Sequence, residues 1–439
     1  MISWKQLTAI GNKAKADGGF SRLVDACNQL VSERGQANLY ALATAVVEGW
    51  QGLSRERHDA FFFAVLATEF DADADAVMSA AKAYTQAPTP AALAALSTAT
   101  ESRRQELFRR INRTQGGTAT LLAMRVALMG CMRNRKGLEA VDADFLHLLS
   151  SWFNPGFLHF EPVSWNSPAV LLEKIIAHEA VHAIASWTHL RRRLESDRRC
   201  YAFFHPQLPN EPLIFVEVAL THEIPGAIAP LIALKSDDAG GDAPRADRKA
   251  KPPTTAVFYS ISNCQPGLRG VSLGNFLIKR VAEHLIKEVP TLETFCTLSP
   301  VPTLCRWLDK VDAASLPPTT QQAYNRLRSW QAVSKPLTAA QISAMPVDVR
   351  ESLLRLTTHL LVKGSHLDLP DPVARFHLDN GARLEAVHVA ADLSTKGLKE
   401  SLSVMVNYRY DLDAVEARHE AFVNHDVVYA SGLKKWLKA

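Results

Sequence analysis

Between Ser21 and about Trp152, apolar residues recur at helical spacing. Runs such as Ser21-Arg22-Leu23-Val24-Asp25-Ala26-Cys27 and Ala91-Ala92-Leu93-Ala94-Ala95-Leu96 predict an all-helical region. Breaks at Asp17-Gly18-Gly19, Pro88-Thr89-Pro90 and Gln115-Gly116-Gly117 divide it into several helices, with Ser21 as an N-cap. No fixed-period repeat is present, which favours a bundle over a solenoid. The texture changes at Phe153-Asn154-Pro155-Gly156. One more amphipathic helix, Ala169 to Leu194, is followed by three strand-like runs at Cys200 to Phe204, Leu213 to Leu220 and Ala256 to Ile261. Lys235 to Pro253, rich in Asp, Gly, Ala, Lys and Pro, reads as a surface loop between two of them. The third run leads through a glycine-containing loop into a helix from Asn275 to about Glu288. A short strand, Thr294 to Leu298, and a helix from Val301 follow. The expected organisation is therefore an all-α helical bundle over 1–155, then an α+β domain over 156–439.

Composition narrows the class. A chain of 439 residues with 47% hydrophobic content builds more than one core. Its net charge of +4 is spread along the sequence rather than gathered into a basic arm, so nucleic acid is not an expected partner. The six cysteines form no Cys-x-x-Cys pair and sit in apolar runs, as in Phe295-Cys296-Thr297, which reads as reduced core thiols in the cytoplasm. The start, Met1-Ile2-Ser3-Trp4-Lys5-Gln6, lacks the order of a secretion signal. No apolar run approaches bilayer-spanning length, so no membrane is expected either.

The glycine loop, Arg269-Gly270-Val271-Ser272-Leu273-Gly274-Asn275, is the first candidate site. A helix that starts straight after a strand through such a turn gathers unpaired N–H groups and a positive dipole end at one point, which suits phosphate. Arg269-x-x-Ser272-x-Gly274 is similar to the coenzyme-A loop of GNAT acetyltransferases, with Ser272 where those enzymes usually carry glycine.

Its surroundings carry more. The stretch Ala256 to Gln265, the loop itself, Phe276-Leu277-Ile278-Lys279-Arg280 and Leu298-Ser299-Pro300-Val301-Pro302 together resemble the malonyl-CoA decarboxylase family. So do Arg103 to Leu107, Phe153 to Leu158, Arg198-Arg199-Cys200-Tyr201, Phe376 to Ala382 and Asn407-Tyr408-Arg409-Tyr410, in order over most of the chain. The resemblance implies a helical domain used in oligomer assembly, a catalytic domain of GNAT fold, and a homo-oligomer, dimer or tetramer. It also implies conversion of malonyl-CoA to acetyl-CoA and carbon dioxide, with Arg269 to Asn275 holding the coenzyme. No separate cofactor is expected, because the thioester carbonyl itself accepts the electrons left on the α-carbon.

The catalytic candidates have ordinary readings beside the implied ones. Ser299-Pro300, after a predicted strand and before a helical stretch, is also what an N-cap and first helical position look like. By resemblance Ser299 is the serine that holds the malonyl head. His377 precedes the turn signal Asp379-Asn380-Gly381 between two strand-like runs and is expected at a hairpin. By resemblance it is the proton donor to the α-carbon, with His388 as the substitute. Tyr410 reads locally as packing after a helix, and by resemblance as an active-site tyrosine.

One motif competes. His178-Glu179-Ala180-Val181-His182 fits the His-Glu-x-x-His helix of zinc peptidases, and at about 100° per residue His178, His182 and His189 share the polar face of the predicted helix. The downstream ligands are out of pattern: Ala185 and Thr188 stand where a metzincin needs glycine and histidine, and Glu211 and Glu217 flank or lie in a predicted strand. No metal is expected. An N-acetyltransferase acting with acetyl-CoA is the other alternative, since the fold alone would permit it.

Overall fold

The computed structural model describes residues 18–32, 38–53, 59–234, 251–271, 273, 277–334, 337–364 and 371–438. The helical region contains, among the described residues, α1 (Gly18–Val31), α2 (Leu39–Gln51), α3 (Asp59–Thr68), α4 (Ala74–Gln86), α5 (Pro90–Thr100), α6 (Arg103–Asn112), α7 (Gly117–Met132) and α8 (Glu139–Trp152). The break at Pro88-Thr89-Pro90 forms as expected: the Thr89 hydroxyl accepts from Ala92 N, and Pro90 takes the first-turn position where a missing N–H costs nothing. The first break is different. Gly18 and Gly19 are helical, which places Ser21 inside α1 rather than at its cap.

This core is held by aromatic packing and by ion pairs of buried arginines. Phe108 stacks on Phe145 with ring centroids 4.1 Å apart. Arg104 is buried and donates to Asp144, which also accepts from Ser102 Oγ at 2.7 Å. A buried charge is tolerated when its partner's remaining lone pairs are also satisfied, as here. The described residues of Met1–His159, with Phe204–Leu213 and Cys264–Leu273, make one compact unit. Within it the turn Pro266–Leu268 lies against α7: Arg125 donates to Gly267 O at 2.6 Å, and a Cβ at Gly267 would stand 2.7 Å from Leu122 O.

The second unit takes in Phe160–Phe203, Ile214–Asn263 and the described residues of Gly274–Ala439. Its sheet has the order β1-β2-β3-β4-β5-β8-β6, with β7 also paired to β8. The strands are β1 (His159–Val163), β2 (Arg198–Phe204), β3 (Pro212–Thr221), β4 (Thr255–Asn263), β5 (Thr294–Thr297), β6 (Ser299–Pro300), β7 (Arg383–His388) and β8 (Met405–Tyr410). β4 and β5 run parallel, which requires the crossover supplied by the loop after β4 and helix α12 (Leu277–Glu288). β8 pairs antiparallel with β5, β6 and β7. The helical first part and α+β second part expected from the sequence are both present.

Three local expectations are corrected. The predicted helix Ala169 to Leu194 is two helices, α9 (Ala169–His178) and α10 (Trp187–Arg193). It breaks because the Glu179 carboxylate itself accepts the N–H groups of Val181 and His182, which a continuing helix would bond to carbonyls. The helix after the Thr294 strand starts at Leu304 (α13, Leu304–Lys310), with Thr303 at the cap position, so Ser299 is not an N-cap. The segment around His377 is a helix, α17 (Pro372–Asp379), rather than a hairpin. Asp371 caps its start through Val373 N at 3.0 Å and Ala374 N at 2.9 Å. Asn380-Gly381 ends it, Gly381 standing at φ +74°, the left-handed position a helix terminus prefers for glycine.

Gly381 is also where the end of α17 meets α19 (Val415–Val423): an added Cβ would lie 2.1 Å from Val415 O. Gly381→Ala is expected to lower stability by ~2 kcal/mol or more from left-handed strain plus the clash. Thermal unfolding followed by circular dichroism measures it; an unshifted midpoint would show that this approach does not constrain the helix carrying His377.

Candidate active site

Ser299, His377 and Tyr410 are separated by 78 and 33 residues in sequence, and the fold brings them into one hydrogen-bonded row. His377 Nε2 lies 3.0 Å from Ser299 Oγ, and its Nδ1 lies 2.9 Å from Tyr410 Oη. All three side chains are buried, His377 being 3% exposed. Ser299 sits in β6 and Tyr410 closes β8, not a helix end as the local reading had it. The Tyr408 ring stacks on the imidazole with centroids 4.6 Å apart.

The proton positions follow from counting donors. Ser299 gives its one hydroxyl proton to Thr297 Oγ1 at 3.0 Å. It therefore accepts from His377, whose proton is on Nε2, and Nδ1 then accepts from Tyr410. Burial pushes the His377 imidazole down to about 3 and the Tyr410 phenol well above its usual range, so both are neutral at ordinary pH.

Asp371 went unnoticed in the sequence, though Asp-Pro at a helix start is a legible capping signal. Besides capping α17, it accepts from Thr303 N at 3.1 Å and Thr303 Oγ1 at 2.9 Å. One buried carboxylate thus ties the helix carrying His377 to the segment just after Ser299. Burial raises its pKa while its four donors oppose the rise.

A cavity of about 300 Å³ opens on this row. Its wall includes Phe258, Ser260, Ile261, Leu277, Ser299, Pro300, Val373, Phe376 and His377, mostly apolar with a few polar groups converging. That is the composition of a pocket for a small organic ligand with a polar head. His388 is elsewhere: its Nε2 is bonded to Asn407 Oδ1, and it does not line the cavity.

In the glycine loop, Arg269 and Gly270 are exposed, and Val271 and Leu273 are buried. Gly270 has φ +84°. Ser272, Gly274 and Asn275, on which the phosphate-binding expectation chiefly rests, lie outside the described residues. The zinc-helix motif does not form. His178 ends α9, His182 is buried rather than on a solvated face, and Glu179 is occupied by backbone and serine donors. Among the described residues no group of three or more His, Cys, Asp or Glu side chains is placed to hold a metal ion. No helix among them is long and apolar enough to cross a membrane.

Two family descriptions match the chain: a malonyl-CoA decarboxylase C-terminal domain over residues 156–439 and a malonyl-CoA decarboxylase N-terminal domain over 70–153. The chain belongs to the malonyl-CoA decarboxylase family. The mitochondrial malonyl-CoA decarboxylase of Anser anser anser is 34% identical over 362 residues, covering 75% of this chain and 68% of that protein. The crystal structure of malonyl-CoA decarboxylase from Agrobacterium vitis is 43% identical with a TM-score of 0.83, covering 95% of this chain and 100% of that one. The one from Rhodopseudomonas palustris is 41% identical with a TM-score of 0.81, covering 94% and 99%. Family membership makes this chain a carboxy-lyase.

The donor count gives a direct expectation. Nitrogen NMR of ring-labelled protein is expected to show His377 as the Nε2–H tautomer at pH 7, without titration between pH 8 and 5. Below the ordinary histidine value near 6.5 the unfolded chain binds a proton that the folded site refuses down to about 3, so this residue lowers stability as pH falls through that window. A ring that titrates near 6.5 would overturn the assignment.

Proposed function

We propose that this chain decarboxylates malonyl-CoA to acetyl-CoA and carbon dioxide, using Ser299, His377 and Tyr410 and no separate cofactor. The observation that carries the reading is the buried Ser299–His377–Tyr410 row, of which Ser299 and His377 line the cavity. The bond between the carboxylate carbon and the α-carbon breaks, and its electron pair moves into the thioester carbonyl to give an enolate. Carbon dioxide leaves neutral. Ser299 turns its hydroxyl proton from Thr297 to an oxygen of the malonyl head and holds the carboxylate out of the carbonyl plane. His377 gives its Nε2 proton to the α-carbon; a neutral imidazole suffices because an enolate is a strong base. Tyr410, donating to Nδ1, spreads the charge left on the ring, and a proton from solvent restores the resting state.

The coenzyme would be held by Arg269 to Asn275, the exposed Arg269 guanidinium meeting phosphate. A cytosolic homo-oligomer is part of the same reading. Its support is that no disulfide joins any of the six cysteines, and that Met78 on α4 and Leu93 on α5 are exposed apolar side chains on the helical unit.

Incubation of purified protein with malonyl-CoA is expected to release acetyl-CoA, at a rate unchanged by exhaustive chelation. Ser299→Ala and His377→Ala are each expected to lower kcat by about 100- to 10000-fold, and Tyr410→Phe by about tenfold. Absence of turnover in the unaltered protein would end the reading; full turnover in His377→Ala would remove that residue from the role.

A further inference from the structure

Glu179-Ala180-Val181-His182 has no part in the chemistry above, yet Val181 lines the cavity. Leaving α9, Glu179 gathers Val181 N at 2.9 Å, His182 N at 2.7 Å, Ser260 Oγ at 2.9 and 2.8 Å from its two oxygens, and Ser262 Oγ at 3.2 Å. A carboxylate only accepts, so the single proton of Ser260 is committed to it. The Ser262 proton goes either to Glu179 or to Ser260 Oγ, 3.3 Å away. In both cases at least one lone pair of Ser260 Oγ has no donor among the described residues. Ser260 is 2% exposed and lines the cavity beside Ser299 and His377. Ser260 Oγ is already bonded through its proton, so what it can still offer a ligand in the cavity is an acceptor position for a donor.

The identity of that donor rests on the reading of the ligand as malonyl-CoA. Its malonyl head offers a carboxylate and a thioester carbonyl, which only accept. Its pantetheine arm carries two amide N–H groups. While Glu179 holds the Ser260 proton, Ser260 repels the carboxylate and suits an amide. We propose that Glu179 is a positioning residue that fixes Ser260 as a hydrogen-bond acceptor for a pantetheine amide N–H of the acyl-CoA. Ser299 and His377 are thereby left as the hydroxyl and imidazole donors for the malonyl head, and the pair Glu179–Ser260 selects for the arm.

Glu179→Gln tests this in the full chain. The amide keeps an acceptor for Val181 N and His182 N but presents a donor to Ser260, which turns the serine hydroxyl round. For one lost hydrogen bond, kcat/KM on malonyl-CoA is expected to fall about tenfold, mainly through KM. On malonyl S-ethyl thioester, which has no amide, the same variant should lose less than about twofold. Calorimetric titration with acetyl-CoA gives an independent readout: Glu179→Gln and Ser260→Ala should each weaken binding about tenfold, and the double variant no further. Equal losses on both thioesters, additive losses in the double variant, or no loss at all would each overturn the proposal; if the S-ethyl thioester is not turned over, the binding cycle decides. Unaltered protein that neither turns over malonyl-CoA nor binds acetyl-CoA would instead remove the functional reading beneath it.

Discussion

His377 is buried at 3% exposure with hydroxyls rather than carboxylates on its two nitrogens, and the rest of the site answers to that burial. An unpaired cation in such a place is too costly to form, so the ring stays neutral and has one donor and one acceptor nitrogen. Its neighbours must therefore be one acceptor and one donor. Ser299 is the acceptor only because Thr297 takes its proton, and Tyr410 is the donor because nothing pulls its phenol toward ionisation. Asp371, the buried acid at the start of the same helix, is spent on four donors of its own.

The sheet supplies the spacing. β8 pairs with β5 through Phe295↔Tyr410 and with β6 through Ser299↔Val406, so a single strand sets the distance between the two hydroxyl residues of the row. Between them, Thr297 Oγ1 accepts from Tyr408 N at 3.3 Å as well as from Ser299, and Asn407 donates to Thr297 O at 2.9 Å. The backbone that makes the sheet also fixes the proton direction in the row. Position and proton order are not separate pieces of the design.

How much of this is legible in the sequence depends on the range of the interaction. β2 to β5 and the first helices announce themselves through apolar period and turn residues, which are local. Asp379-Asn380-Gly381 is equally local but serves two structures, because a glycine at positive φ ends a helix as readily as it turns a hairpin; Asp371-Pro372 at the other end decides between them. Two further helices, Pro318–Val333 and Val347–Lys363, are not among the elements expected from the sequence. Nothing in the neighbourhood of Ser299 or His377 signals that they meet, since 78 residues and three pairings of β8 stand between the two facts. Only likeness to a family could join them beforehand.

The His-Glu-x-x-His pentapeptide shows the same limit from the other side. Its chemistry as a metal site requires one helix to carry both imidazoles on one face. Here the glutamate ends that helix by capturing the next two N–H groups. The histidines are then parted, His182 is buried, and its Nε2 has no partner among the described residues. The glutamate that would activate water in a peptidase is engaged by two backbone donors and by Ser260, with Ser262 Oγ 3.2 Å away. With those donors in place, its part is to hold the protons of its neighbours. That makes the direction of the Ser260 hydroxyl, rather than any reaction of its own, the means by which Glu179 reaches the cavity.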